Sequence, residues 1–527
     1  MFNQSTRDAL AAHVASFNRT NEESVVQAVP NGQAEAWMQA HIPRALLPDP
    51  ALETAYYFRW WVYRKHIKRI PGGFVVTEFH PDVPWAGKHN TIVASAAHHV
   101  DEGRWLRACD VLDSYIPFFY RGGGAPRLYS NWLEAALLRL CEARGDTALG
   151  EALLPDLVEN YTGWEESNLH RASGLYWSID DRDASEFSIS GNGLRPTLNC
   201  YQYANARSIA TFARRSGGEA LAERFEAKAA ALKERINALL WRGEDAFYKA
   251  IPLQSKEAPL EDDIDPRRNV REIWGYLPWT FGVAPEGRAE AFRQLLDVNG
   301  FRAAHGMTTA ERRHPGFGLF YTGDELNDWL QARGEPRISP KGHECLWNGP
   351  SWPFSTCLAL RAVANVLDSG EPQSVINAAD YTYLLTQYAL AHRRMLPDGT
   401  FIPWLDENMH PDTGDWISRT RLAHWDDGSW SREKGGRERG KDYNHSTFCD
   451  LVIGGLFGVQ PTLDTLRIAP LFPAHWSYAV LEDLRIHGHR VDIRYENPVL
   501  GGQGYTICID GDCAFQSEWP AMWENAL

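Results

Sequence analysis

No stretch of this 527-residue chain approaches the roughly 20 apolar residues that a membrane-spanning helix needs. The start, "MFNQSTRDALAAHVASF", has no basic segment leading into an apolar one, so a secretory leader is not expected either. Both observations predict a soluble, cytoplasmic protein without a membrane partner. Positive charge is the minority sign: 53 Lys and Arg stand against 68 Asp and Glu, for a net charge of −15. Such a surface repels phosphate backbones, and no nucleic-acid partner is expected. The one Arg/Lys-dense run, "SREKGGRERGKD" from Ser431 to Asp442, is broken by acids and glycines and reads as a mobile surface loop.

Familiar catalytic signatures are missing too. There is no Gly-x-Ser-x-Gly elbow, and neither "GGGAP" (Gly122 to Pro126) nor "GGQG" (Gly501 to Gly504) has the lysine and helix context of a phosphate-binding loop. Cysteine is sparse: Cys109, Cys141, Cys200, Cys345, Cys357, Cys449, Cys508 and Cys513 are scattered, mostly within apolar helical patterns, and read as buried thiols. Cys508 and Cys513 could bridge a hairpin, but no second pair completes a zinc site. His98 and His99 read as helix packing rather than metal ligation.

Aromatic side chains, in contrast, are abundant: 12% of the residues, with 21 Trp. A globular protein must pack that much indole or display it, and sugar-binding clefts display it. Amphipathic segments recur from about residue 90 to 460. Examples are "SNWLEAALLRLCEAR" (Ser130 to Arg144), "EALAERFEAKAAALKERINALLW" (Glu219 to Trp241) and "STCLALRAVANVLDSG" (Ser355 to Gly370), with Ser130 and Ser355 as candidate N-caps and Gly370 as a stop. Each apolar stripe needs a partner, and successive pairing about an axis gives a helical toroid with a central cleft. "YYFRWWVYRKHI" (Tyr56 to Ile67) reads as a helix turning its aromatics to core or cleft. After Gly458 the pattern becomes short, alternating and β-branched, as in "HRVDIRYE" and "YTICIDG". The expected fold class is therefore mainly α. An N-terminal segment (1–84) leads into a helical toroid (85–460), and a small β-appendage follows (461–527).

Four loop regions carry candidate chemistry. "WLDENMHPDTGDW" (Trp404 to Trp416) holds Asp406, Glu407, Asp412 and Asp415, and its Trp404 and Trp416 could shield Glu407 and raise its pKa. In "SGLYWSIDDRDASEFSISGNGLRPTLNCYQYANA" (Ser173 to Ala206), Asp180, Asp181, Asp183 and Glu186 sit among aromatics and small residues ahead of a helix near Pro196 and Thr197. Arg195 belongs to the same rim. "HECLWNGPSWPFS" (His343 to Ser355) presents Trp347, Asn348 and Trp352, and "DVPWAGKHNTI" (Asp82 to Ile92) presents Trp85, Lys88, His89 and Asn90. Indole faces cover the apolar side of a pyranose, and amides reach its hydroxyls. Two opposed carboxylates across such a cleft are what glycoside hydrolysis requires.

"WNGPSWP", preceded by "GMTTAERRHPGF" (Gly306 to Phe317) and followed by "DENMHPDTG" and "YNHSTF" (Tyr443 to Phe448), resembles the catalytic half of a glycoside hydrolase group. That group contains trehalases, the processing α-glucosidase I of family 63 and mannosylglycerate hydrolases. The resemblance runs from about Trp85 to Gly458. It implies an (α/α)6 barrel and an inverting mechanism with an Asp acid and a Glu base. The group's base segment, F-x-E-N-Y-x-P-x-T-G, is similar to "LDENMHPDTG" and places the base at Glu407. Its acid segment corresponds best to "ASEFSI", which has Glu186 where the group has Asp; Asp183 and Asp181 are the alternatives. The resemblance adds Tyr443 and His445 to the substrate-binding set of Trp85, Asn90, Arg195, Trp347, Asn348, Trp352 and Trp404. It implies a small carbohydrate substrate, and no metal or organic cofactor.

The departure at Glu186, with "REIWGYLPWTFG" (Arg271 to Gly282), is more like an outlying bacterial branch, related families of which act on β-L-arabinofuranosides, than like a trehalase. Two other functions suit the same residues. A sugar epimerase or lyase would use His343, His424, His445 or Tyr443 for proton transfer. A non-catalytic carbohydrate-binding protein would keep the tryptophans without opposed carboxylates.

Overall fold

The structure is a computed structural model, and it describes residues 5–107, 110–260, 263–318, 328, 331–332, 345–417 and 440–527. Cys109, His343, His424 and most of the Ser431–Asp442 run lie outside the described residues.

Helices dominate, and their order fixes where the loops meet. The N-terminal part contributes α1 (Thr6–Arg19), α2 (Ala34–His41) and α3 (Pro50–Lys65). Asp49 starts α3 by accepting from the Ala51 and Leu52 amides, with Pro50 in the first turn, where its missing N–H costs nothing. The aromatics of α3 are core residues, with Tyr56, Tyr57, Trp60, Trp61 and Tyr63 all buried.

The main body follows with α4 (Val93–Gly103), α5 (Asp110–Arg121), α6 (Leu133–Arg144), α7 (Ala148–Asn168), α8 (Pro196–Arg215) and α9 (Glu219–Leu239). The short α10 (Leu277–Thr280) and α11 (Arg293–Leu296) precede α12 (Pro353–Asp368) and α13 (Ala378–Leu390). In α9 the buried Ala222, Phe225, Ala229, Leu232 and Ile236 repeat every three or four residues, giving one stripe that packs on α8. The helix boundaries shift two expectations. Ser130 lies before α6, which starts at Leu133 without a side-chain cap, and Ser355 lies inside α12, which begins at Pro353.

Packing runs in succession: α4 on α6, α6 on α8, α8 on α10, α10 on α12, and α12 on a π-helical turn at Leu451–Leu456. The last member is tied back to the first by Glu102 of α4. Its carboxylate accepts from three consecutive amides, Phe448, Cys449 and Asp450, at 2.8 to 3.3 Å. The loops before α4, α6, α8 and α12 supply Trp85, Tyr129, Glu186 and Trp347 to one cavity.

The C-terminal strands form an antiparallel sheet of Tyr478–Ile486, His489–Glu496, Gly504–Ile509 and Asp512–Ser517. Its fifth, edge strand comes from the other end of the chain. Arg44–Leu46 pairs with Tyr478–Ile486, with Arg44 opposite Glu482. The N-terminal segment is therefore joined to the β-appendage as well as leading into the helices. Cys508 and Cys513 lie directly opposite each other in this sheet. Among the described residues, no helix is long and apolar enough to cross a membrane.

Candidate active site

Backbone hydrogen bonds lace six separate segments together. Ser351 and Met409 exchange both of their backbone bonds at 2.9 Å, and Ser351 also bridges to Thr308 and Met409 to Trp416. The "WNGPSWP" loop, the "GMTT" segment and the Glu407 loop are thereby one unit. The Trp347 amide donates to the Glu186 carbonyl (3.1 Å), which fastens the acid-bearing loop to that unit. The Asp442 amide donates to the Leu405 carbonyl (2.8 Å), and the Asn444 amide to the Glu78 carbonyl (3.0 Å). Residues far apart in sequence are held at one spot by paired amides, the least adjustable contacts a chain can make.

These loops enclose a cavity of about 350 Å³ beside the first turns of α4 and α12, which contribute Ala94 and Phe354. That is the small end of the usual range for ligand pockets, about 300 to 1,000 Å³. Its lining includes Glu186, Glu407 and Asp181, with Trp85, Trp347, Trp352, Tyr443 and His445 from the expected set. Glu78, Phe79, Tyr129, Cys345 and Phe354, none of them expected, line it as well.

Glu407 is buried. Its amide donates to Asp406 Oδ1 (2.9 Å), and Cys345 Sγ lies 3.9 Å from its Oε2. Asp406 is thus buried support for Glu407, not a solvated turn residue. The fit there is tight: Gly440, at φ +78°, passes so close to Asp406 that an added Cβ would lie 2.0 Å from Oδ1. Asp412, by contrast, is paired at the surface with Arg312 (2.6 Å).

Glu186 accepts from the Trp347 indole Nε1 through Oε2 at 3.1 Å. Desolvation of its carboxyl, with the charges of Asp181, Asp180 and Glu407 nearby, pushes its pKa well above the ordinary value. Asp181 is exposed at the rim, 3.5 Å from Arg182. Asp183 is elsewhere: it is buried, with Oδ2 accepting from Arg195 Nε at 2.8 Å and from the Thr197 hydroxyl.

The aromatic lining is continuous. Trp85 meets Phe79 (ring centroids 5.4 Å apart), Phe79 meets Tyr443 (4.6 Å), Tyr443 meets His445 (4.0 Å) and His445 meets Trp352 (5.9 Å). Trp347 stacks on both Trp352 (4.3 Å) and Trp274 (5.0 Å). That stacking takes up the indole surface expected to cover a sugar, and leaves Trp347 its N–H edge toward Glu186. Trp85 lies at the rim and is 39% exposed.

Four expected binding residues do not line the cavity, and three of them are engaged elsewhere. Asn90 accepts from the Val83 amide (3.0 Å) and donates to the Phe79 and Pro81 carbonyls (both 3.1 Å), bracing the loop that carries Trp85. Arg195 spends its guanidinium on Asp183, Ser188, Ser190 and the Gly191 carbonyl, so it braces the Glu186 loop. Trp404 lies under Arg394 and Lys441. Asn348 is fully buried, outside the lining, and its carbonyl accepts from the Gly318 amide. Trp416, like Trp404, does not line the cavity.

Among the unexpected residues, Glu78 is the most informative. It follows a short strand, Gly73–Val76, and Tyr443 donates its hydroxyl to Glu78 Oε1. The signal for it was its position in "TEFHPDVPW", just ahead of the loop already chosen for Trp85.

Comparison with known proteins follows from this geometry. Residues 88–446 match the family model described as a mannosylglycerate hydrolase MGH1-like glycoside hydrolase domain. A solved structure described as a sialidase is 32% identical, with a TM-score of 0.84 over 98% of this chain and 44% of its own. This chain therefore spans less than half of that protein. A GH63 mannosylglycerate hydrolase from Thermus thermophilus, solved in complex with Tris, is 12% identical. Its TM-score is 0.52, over 76% of this chain and 100% of its own, which is a likeness of fold. No curated protein matches the chain. By the extent of the family match, the chain belongs to the MGH1-like glycoside hydrolase domain family.

Proposed function

We propose that the protein hydrolyses a small glycoside or oligosaccharide at its non-reducing end, with inversion, inside an (α/α)6 toroid. The observation that carries this reading is the pair of carboxyl groups in one cavity under unlike conditions. Glu186 is desolvated and bonded to an indole N–H, and its pKa is raised; Glu407 sits on a loop fixed by Asp406 and by the Ser351–Met409 pair. In the proposed reaction, Glu186 gives its proton to the glycosidic oxygen as that bond breaks. Glu407 takes a proton from a water molecule, whose oxygen bonds to the anomeric carbon from the opposite face. The alcohol leaves neutral, and the two carboxyl groups exchange protons with solvent to reset.

A cavity of this volume accommodates one or two sugar rings, which favours exo action. Trp85 is positioned to cover a ring face at the rim. Carboxylates in the lining also suit a polyhydroxylated ammonium ion such as Tris, which the solved Thermus enzyme holds. Tris therefore serves as a binding probe independent of turnover.

Two measurements test the proposal. A panel of aryl glycosides and disaccharides is screened for released sugar, and proton NMR identifies the anomer formed first. The opposite anomer to the substrate is expected; the same anomer overturns inversion. Replacing Glu407 by Gln is expected to abolish turnover while ligand still binds, and unchanged turnover removes Glu407 from the role of base. In a ligand complex, carboxyl groups about 6.5 to 9.5 Å apart accord with inversion, and about 5 Å with retention.

A further inference from the structure

The reaction above uses two carboxylates, yet a third, buried one faces the same cavity. Glu78 is 7% exposed. Its backbone is fixed by the Asn444 amide on its carbonyl (3.0 Å), and its side chain by the Tyr443 hydroxyl. Tyr443 donates to Oε1, while Oε2 receives no hydrogen bond among the described residues. The neighbouring Ser95 hydroxyl donates to the Ile92 carbonyl (3.2 Å), and lies near enough to the Glu78 carboxyl to work against the rise in its pKa. A buried carboxylate oxygen without a donor is costly, and a ligand hydroxyl is the donor such an oxygen lacks.

The surroundings specify the ligand further. Phe79, the next residue, holds Trp85 edge to face, so an aromatic surface and a hydrogen-bond acceptor lie side by side. That combination matches a sugar ring, with its apolar C–H face beside equatorial or axial hydroxyls. We propose that Glu78, held by Tyr443, is a substrate-binding residue whose Oε2 accepts a sugar hydroxyl and so selects among hydroxyl configurations. The proposal rests on the glycoside reading of the cavity and adds a specificity determinant to it.

The charge environment supports this role. Burial raises the Glu78 pKa to about 7, while the hydroxyls of Tyr443 and Ser95 work against the rise. The ionisable groups that act on or feel Glu78 are Tyr115, Tyr129 and Tyr443, and each of these phenols is kept neutral by burial. Glu186 and Glu407 share the cavity. Glu78 therefore gains its full acceptor strength above neutrality, and a charge-assisted hydroxyl bond is worth roughly ten- to a hundredfold in affinity.

The test combines kinetics on an aryl glycoside with calorimetric titration of Tris. Glu78→Gln keeps the shape and removes the charge; KM is expected to rise about ten- to a hundredfold with kcat within about threefold, and Tris binding to weaken in step. Glu78→Asp keeps the charge but withdraws it by one methylene, and an intermediate loss is expected. The limb near pH 7 in the kcat/KM profile of the wild type is expected to vanish in Glu78→Gln. Unchanged KM and unchanged Tris affinity in either folded variant overturn the proposal. So does a loss confined to kcat, or a wild-type protein that takes up no Tris. If no glycoside is turned over, the hydrolase reading fails while the Tris titration still decides Glu78.

Discussion

Buried carboxylates at the two ends of α4 and the helices packed on it meet opposite surroundings. Where the inner helices begin, Glu78 and Glu186 face a cavity, and desolvation pushes both pKa values up, Glu78 to about 7. Two turns further along α4 lies Asp101. Its carboxylate takes Arg139 Nε at 2.7 Å, Arg361 Nη1 at 3.0 Å and the Trp132 indole at 3.0 Å. Asp450 joins this cluster through Arg104 (2.7 Å) and Arg361. Burial opposes ionisation of Asp101 and Asp450 too, but the arginines outweigh it and hold both below the ordinary carboxylate range. Depth alone therefore does not set the protonation state. One end is built from carboxyl groups left for a ligand to satisfy, the other from carboxylates already satisfied by the protein.

The sharpest break in this comparison is chemical. Glu407→Gln and Glu186→Gln, made separately, are each expected to lower kcat by about 10²- to 10⁴-fold. Thermal melting should stay close to wild type, because both side chains line a cavity and Gln keeps their shape. Steady-state kinetics and a melting curve on the same samples check both halves.

At the other end the balance reverses. Asp101→Asn leaves Arg139 and Arg361 short of a buried counter-charge, and should cost about 3 to 5 kcal/mol of stability in urea titration. A loss below about 1 kcal/mol would place the strength of that cluster elsewhere.

The pH dependence of stability should separate the ends by sign. Glu78 has a folded pKa of about 7 against a reference of 4.5. Between those values the folded state binds the extra proton, so its contribution falls as pH rises, by about 3 kcal/mol in all. Asp101 and Asp450, with depressed folded pKa values, contribute fully above their unfolded pKa near 4 and lose that contribution as pH falls. Urea unfolding of the wild type and Glu78→Gln across pH 4 to 8 reads the first effect, and a flattened slope in the variant is expected.

The smallest effect concerns the rim. Trp85→Ala removes a half-exposed indole from the cavity rim, and should raise KM about five- to tenfold with kcat retained.

The helical stripes and the alternating strands after Gly458 were legible because burial imposes a period on the residues themselves. The segments at the site were legible only as neighbourhoods. Asn90, Arg195 and Asp183 have the side chains a sugar site uses, but they spend them on their own loops. Composition cannot distinguish an amide that faces a ligand from one that braces the turn beneath it. Trp347 was found for the wrong surface, since its partners Trp274 and Trp352 are set by tertiary packing. Glu78 escaped notice for the complementary reason: it is a single acid after a short strand, and its meaning comes from Tyr443, which lies 365 residues away in sequence. The pairing of Arg44–Leu46 with Tyr478–Ile486 has no local trace either.

The Glu102 clasp has a consequence for how the protein comes into being. The amides it grips belong to residues 448–450, and the wall of the cavity nearest them is made by Tyr443 and His445. During synthesis, Glu78 and Glu186 are made hundreds of residues before that wall exists. Until then the contacts that Glu102 makes with those amides cannot form. Any truncation upstream of residue 448 leaves half a site with nothing to close it.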